Sequence, residues 1–369
     1  MTFKSPQKRV LHVRFYKAII VAFLLFFNTV IGQGFNGYYN AADGLKGNTL
    51  KAQLHNLIKG HTEYSYTSSS TDVWDMLKET DKDPNNPNNV ILIYSGRSVN
   101  AAQEYNNGSG WNREHVWAKS RGDFGTAIGP GTDAHHLRPA DISVNSTRSN
   151  RSFDDCTVCV NVIDNGVDTG SKYDSSVFTF EPRYAVKGDV ARMLFYMAVR
   201  YDGENGEPDL ELNENLPNNT DKSPFHGKLS TLLAWHLADP VDDWERHRNE
   251  VIFTNFQHNR NPFIDYPTLA DYIWGAKTTQ VWEQSSTLAV ADNTKLNFSI
   301  YPNPASDRLL INTPSSTSKY IGIYDVIGKQ VYQRNTTENQ INISNLKAGM
   351  YFVKVQQDGK IDTRKLVVE

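Results

Sequence analysis

Apolar residues recur at helical spacing in three stretches of the chain. From 48 to 60 (NTLKAQLHNLIKG), Leu50, Leu54, Leu57 and Ile58 fall on one helical face, with Asn48 or Thr49 as the cap and Gly60 beyond the end. From 188 to 201 (GDVARMLFYMAVRY), Val190, Met193, Leu194, Met197 and Ala198 repeat the pattern. A third helix is expected to begin at Asp239-Pro240, where Asp caps and Pro takes the first helical position, and to run through Trp244, Arg248 and Val251. Between the first two lie short apolar runs such as VILIYSG at 90–96, so the core is expected to be α+β with helices dominating.

The two ends break this pattern. Ala18 to Ile31 form an apolar run of 14 residues behind Lys4, Lys8, Arg9, Arg14 and Lys17. That is short of the ~20 residues a bilayer span needs, and a basic flank before a small residue reads as a secretory signal peptide over 1–32, cleaved near Gly32. The alternative is an uncleaved anchor. From 297 to 369 the period changes to short β-branched and aromatic runs separated by Pro302-Asn303-Pro304, Gly328, Gly349 and Asp358-Gly359, which predicts a small all-β sandwich. Residues 285–296 carry no sustained periodicity and read as a linker, leaving 33–284 as the main body. Export would place Cys156 and Cys159 in an oxidising compartment where they can pair.

Charge is segregated along these boundaries. The leader holds five basic residues and no acid, and 297–369 holds nine basic and six acidic residues. Residues 33–296, body and linker together, are left with 24 basic and 35 acidic groups, a balance of −11, which excludes a basic protein that coats nucleic acid.

Candidate chemistry gathers in one window of the body. It runs through Gly110-Trp-Asn-Arg113-Glu114-His115-Val-Trp, then Asp133-Ala-His135-His136-Leu-Arg138-Pro139, then Asp141 and Asn145 to Arg148 and Asn150. No HExxH, GxSxG or GxxxxGKS pattern is present, which leaves metal-assisted hydrolysis or a structural metal site. Phosphodiester hydrolysis needs a base near neutral pH, a divalent cation to offset charge on the phosphate, and hard oxygen ligands for it. His115 supplies the first; Glu114 and a later side-chain amide supply the last. A helix beginning at Asp141 could bring Asn145 towards Glu114. Neighbours in a regular strand point to opposite faces, so Glu114 and His115 can share a site only if the strand ends or bulges there. Asp81 to Asn85 alternates carboxylates and amides, but Asn86 and Leu92 stand where a calcium loop needs Gly and Glu, so a surface turn is expected. His236 is expected to be structural, and Arg246, Arg248 and Arg260 to lie on a solvated ion-pair face rather than in a nucleic-acid groove.

Two family resemblances follow from these motifs. YPNPASD at 301–307, IYDVIGKQV at 323–331, LKAGMYFVKV at 346–355 and the terminal KLVVE resemble the C-terminal sorting domain of cargo for the type IX (Por) secretion machinery. NREHVW, D-x-H-H-L-x-P and V-N-x-x-R-S-N, with FEPRYAVKGDVARMLFYMAVRY at 180–201 and QHNRNPFID at 257–265, resemble the endonuclease I family of secreted nucleases with a ββα-metal (His-Me finger) active site. The second resemblance implies His115 as general base, Mg²⁺ held by Glu114 and Asn145 (Mn²⁺ or Ca²⁺ being alternative occupants), and cleavage of DNA, or also RNA, to 5′-phosphate ends. It further suggests Arg113, Arg121, Arg138 and Arg148 as substrate contacts and Asp133, His135 and Asn150 as residues that fix the site's geometry; His136 has no assigned role. A monomer without a transmembrane segment after processing is expected. The competing readings are a zinc phosphoesterase using Asp133, His135 and His136, a zinc site adding Cys156 and Cys159 to those histidines, and a non-catalytic cell-surface protein that binds DNA or glycan.

Overall fold

The computed structural model describes residues 37–284, 296, 298–326, 328–358 and 360–369. The expected signal peptide and all of the expected linker except Leu296 lie outside the described residues.

The first helix, α1 (Gly47–Ile58), buries Leu50, Leu54, His55 and Ile58. It starts one residue before the expected cap. Lys46 occupies the cap position, and Thr49 donates its hydroxyl back to the Lys46 carbonyl at 2.6 Å instead of accepting from the first turn. Helix α2 (Val73–Thr80) is closed at its start by a capping box between Asp72 and Asp75. It leads into the antiparallel sheet β1 (Lys82–Asp83), β2 (Asn86–Ile91) and β3 (Ser98–Asn100). The turn at Asp83 is an Asx turn, the carboxylate accepting from Asn85 N at 2.8 Å.

Next come β4 (Trp111–His115) and β5 (Leu137–Asp141), an antiparallel pair with unbroken register from Trp111 opposite Asp141 to His115 opposite Leu137. Helix α3 (Ile142–Arg148) follows at once, because the Asp141 carboxylate accepts from Ser143 N and Val144 N. Trp74 of α2 meets Trp111 of β4 edge-on at 4.7 Å, within an apolar cluster that also takes in Leu77, Val90 and Leu137. A four-stranded sheet is built from β6 (Ser152–Phe153), β7 (Val160–Asp164), β8 (Val167–Asp174) and β9 (Thr179–Glu181), in the order β6-β9-β8-β7, and β10 (Glu211–Asn213) pairs in parallel with β11 (Phe225–Lys228).

Helix α4 (Lys187–Arg200) was expected to show one apolar face; every residue from Gly188 to Arg200 is buried. Its charged residues survive burial by pairing. Arg192 meets both carboxylate oxygens of Glu245 at 2.6 Å, and Asp189 receives Arg138 at 3.3 Å. The helix expected from Asp239 starts later, as α6 (Asp243–Val251), and Asp239 instead follows the end of the separate helix α5 (Leu229–Ala238). Asp242 caps α6, forming a capping box with Glu245. Asp239 is already committed: its carboxylate accepts from Gly188 N at 2.9 Å, in the first turn of α4. Arg248 and Arg260 are buried on Asp81 and Asp265, so only Arg246 keeps the solvated position expected of all three.

The tail folds into two sheets. One orders β12 (Ser299–Tyr301), β13 (Arg308–Asn312) and β16 (Gln340–Asn342); the other orders β15 (Gln330–Thr336), β14 (Lys319–Asp325), β17 (Gly349–Gln357) and β18 (Lys360–Val368). Alternation decides what faces inward: Leu309 and Ile311, Ile321 and Ile323, and Val353 and Val355 are fully buried in one cluster drawn only from residues 296–368.

Candidate active site

Within a regular strand Glu114 and His115 would face oppositely; β4 has no bulge but ends at His115, the condition under which the two can share one site. Around the histidine, four groups stack in sequence. Arg113 lies with its guanidinium carbon 4.0 Å from the Trp74 ring centre and 3.5 Å from that of Tyr66, and Tyr66 stacks on the His115 ring at 5.5 Å. Arg113 also donates to the Tyr66 carbonyl and to Thr67 Oγ1.

His115 Nε2 lies 3.0 Å from the Gly131 carbonyl, which can only accept, so Nε2 carries the hydrogen and Nδ1 keeps its lone pair. Burial, helped by the nearby His136, pushes the His115 pKa well below that of free imidazole, so the ring is neutral at physiological pH. His136 is fixed as well: Nε2 donates to Pro130 O at 2.7 Å, Nδ1 accepts from Trp117 N at 3.3 Å, and burial pushes its pKa down to about 4.

Glu114 is buried, and burial raises its pKa against the pull of Arg148. Its Oε1 accepts from Tyr94 OH at 2.7 Å and lies 3.2 Å from Arg148 Nε, an ionic contact without hydrogen-bond alignment. Arg148 then binds the carbonyls of His115 (3.2 Å) and Val116, and faces His226 Nε2 at 2.9 Å. Through this one guanidinium, α3 is tied to the end of β4. Asn145 lies one turn before Arg148 on the same face of α3, half-buried, and its side-chain amide makes no hydrogen bond among the described residues. Glu114 Oε2 likewise takes no hydrogen bond from a described residue, so two hard oxygens on adjoining elements are available to a cation.

The remaining expected residues have other work. Asp133 is buried and saturated: Tyr196 OH (2.8 Å), Tyr201 OH (2.9 Å), Gln257 Nε2 (3.0 Å) and the His135 amide (2.9 Å) all donate to it. Burial pushes its pKa up, but neighbouring histidines and these donors outweigh that and hold it well below the usual carboxylate range. His135 Nε2 faces Asn259 at 3.2 Å, and burial pushes its pKa down to about 4. With His136 bonded at both nitrogens and Asp133 at both oxygens, two of these three offer no free ligand atom for zinc. The second zinc reading fails too, because Cys156 and Cys159 form a disulfide.

Arg121, Arg138 and Arg148, expected as phosphate contacts, are all buried and engaged within the protein. Arg121 donates to the carbonyls of Asn218 (2.8 Å), Asp221 (2.5 Å) and Asn150 (3.1 Å), while Asn150 itself donates to Asn219 O at 2.9 Å. Arg138 binds Asp81 at 2.5 Å and Asp189. Arg113 is nearly buried within its aromatic stack. His236 is structural, bonded to Pro267 O at 2.9 Å. Sequence reasoning missed Tyr66, Tyr94, Gly131 and His226. Only Tyr94 left a signal, as the one side chain with a polar tip inside VILIYSG before its Ser-Gly turn. An open recess of about 410 Å³ lined by Thr67 to Asp72, Trp74, Asp75 and Glu104 adjoins the stack, but its carboxylates make it a poor seat for phosphate.

The model of the endonuclease I family matches residues 46–268, and that of the secretion system C-terminal sorting domain matches 299–369. An extracellular ribonuclease of Bacillus subtilis (strain 168) is 56% identical over 237 residues, 64% of this chain and 78% of that protein. One from Bacillus amyloliquefaciens is 56% identical over 244 residues, covering the same shares. Ulvan lyase NLR42 of Nonlabens ulvanivorans is 26% identical over 175 residues, 46% of this chain and 30% of that protein. The family match and these relatives define a nuclease, a hydrolase acting on nucleic acid. The chain belongs to the endonuclease I family, and its sorting domain addresses it through the type IX machinery to secretion or the cell surface. Among the described residues no helix is long and apolar enough to cross a membrane.

Proposed function

We propose that the protein cuts internal phosphodiester bonds of DNA and RNA with little sequence preference, and that it needs Mg²⁺, with Mn²⁺ or Ca²⁺ as alternative occupants. The carrying observation is His115: neutral, stacked on Tyr66, and held through Nε2 so that Nδ1 is the free acceptor. Nδ1 takes a proton from water as its oxygen attacks phosphorus, and the bond to the 3′ oxygen breaks; that oxygen takes a proton from a second water as it departs, leaving 5′-phosphate and 3′-hydroxyl ends. Glu114 and Asn145 hold the cation. When bound, it supplies positive charge opposite the phosphate and the departing oxygen. Tyr94 and Arg148 fix the Glu114 carboxylate, and Arg148 also fixes the backbone beneath His115. The succession of β4, β5 and α3 supports the ββα-metal reading of this site. Nothing in the reaction calls on a 2′-hydroxyl, which supports RNA as well as DNA as substrate, and the two Bacillus relatives are named as ribonucleases.

We also propose the division into a signal peptide over 1–32, a catalytic body over 33–284, a linker over 285–296 and a sorting domain over 297–369, acting as a monomer. Plasmid DNA and a long RNA, each digested with Mg²⁺ and with EDTA, test the reading. His115→Ala should lower the rate on both by about 10²–10⁴-fold without unfolding the protein. EDTA should stop cleavage and added Mg²⁺ restore it; undiminished cutting by His115→Ala, or indifference to EDTA, would refute the mechanism.

A further inference from the structure

His55, near the end of α1, is 2% exposed and belongs to no part of the nuclease site. Its Nδ1 lies 3.0 Å from the Val199 carbonyl, an acceptor, so Nδ1 carries the hydrogen and Nε2 presents a lone pair in the neutral ring. Nε2 is buried with no hydrogen-bond partner and points at two carboxylates, with Asp202 Oδ1 and Glu204 Oε2 each 3.4 Å away. Asp202 Oδ1 is also buried without a hydrogen bond. Three electron-rich atoms within 4.8 Å of one another repel unless a proton or a cation sits among them.

The distances discriminate. An imidazolium bonded to a carboxylate closes to about 2.7–2.9 Å, shorter than either contact here. Ligands around tetrahedral zinc, with bonds of about 2.0–2.1 Å, stand about 3.4 Å apart. Octahedral Mg²⁺ at similar bond lengths would draw neighbouring ligands to about 2.9 Å, and Ca²⁺ takes oxygen ligands rather than imidazole. One imidazole with two carboxylates suits zinc, and the Nδ1–H bond to Val199 O is the kind of support that orients a metal-binding histidine.

We propose that His55, Asp202 and Glu204 form a zinc site, distinct from the catalytic centre, that ties α1 to the turn following α4. The fourth position is open to water. Lys59 Nζ, 2.8 Å from Glu204 Oε2, is a half-exposed partner that zinc can displace.

The test uses the mature full chain carrying Glu114→Gln, so that the proposed catalytic cation site is disabled. After stripping with chelator, zinc chloride is titrated in competition with a chromogenic chelator, and thermal unfolding is followed with and without one equivalent. One equivalent should bind and raise Tm. Adding His55→Gln should weaken binding by about 100-fold and abolish the rise, with Asp202→Asn, a less buried change, acting in the same direction if His55→Gln fails to fold. In the otherwise unaltered chain, His55→Gln should leave Mg²⁺-dependent cleavage unchanged, which separates this site from the proposed mechanism. Absence of zinc binding, or equal binding after both changes, overturns the proposal and leaves an imidazolium ion pair in its place.

Discussion

His115 meets two requirements of a general base, a free lone pair and neutrality at working pH. The first comes from the Gly131 carbonyl and the second from burial beside His136. The sign of the resulting pH dependence can be worked out. The active form is unprotonated, and its pKa is lowered from 6.5, so the rate should hold as pH falls through 6.5 and decline only below it. Glu114, its pKa raised by burial, loses charge in the same acid direction, which saturating Mg²⁺ should offset. A pH profile of kcat/KM on a long RNA at saturating Mg²⁺ checks this; an acid limb centred at or above pH 6.5 would contradict it. At this scale the sequence carried the Glu-His pair and the distant Asn, because NREHVW and V-N-x-x-R-S-N are local strings. Tyr66, Gly131 and His226 were hidden, since each reaches the site from a separate loop or strand with no fixed spacing to the motif.

Elements meet at the active site through Arg148. Its guanidinium contacts Glu114, two carbonyls at the end of β4 and His226, all out of water. Removing one partner of a buried ionic network leaves the others unpaired, at a cost of about 3–5 kcal/mol. Arg148→Ala should therefore lower stability by roughly that amount in urea unfolding, and Arg148→Lys should recover little of it, because a single ammonium cannot reach the same set of acceptors. A loss below about 1 kcal/mol would show that α3 is not anchored in this way. The sequence revealed α3 because Asp141 is a strong local cap. It misplaced the helix at Asp239 because that carboxylate caps α4, a partner 51 residues away. The arginines misled for a related reason. Charge in a sequence suggests solvent, yet Arg121 and Arg138 bury their cations among carbonyls and carboxylates that only the fold assembles.

For the whole molecule, the body's acidity means that bulk electrostatics contributes little to substrate capture. The sorting domain has a core of its own, so removing 297–369 should leave nuclease activity in the purified body and block export. Cell fractionation of the truncated chain checks this: activity should be retained in the periplasm, and activity appearing in the medium would show that the tail is dispensable. The sandwich was readable from its alternating strands and turns, whereas sheet order was not, because β14 pairs with β17 across the two strands that lie between them in sequence.

Strand β18 pairs with β17 along its full length, from Gly349 opposite Val368 to Gln357 opposite Lys360, and Glu369 N donates to Ala305 O at 2.9 Å. The ribosome delivers this strand after the other six. Until it arrives, the sheet keeps a nine-residue open edge on β17 that could pair with another nascent chain. Synthesis interrupted before residue 360 therefore yields a product with an unfinished address and an adhesive flank, and such fragments should be cleared or aggregate inside the cell rather than reach its surface.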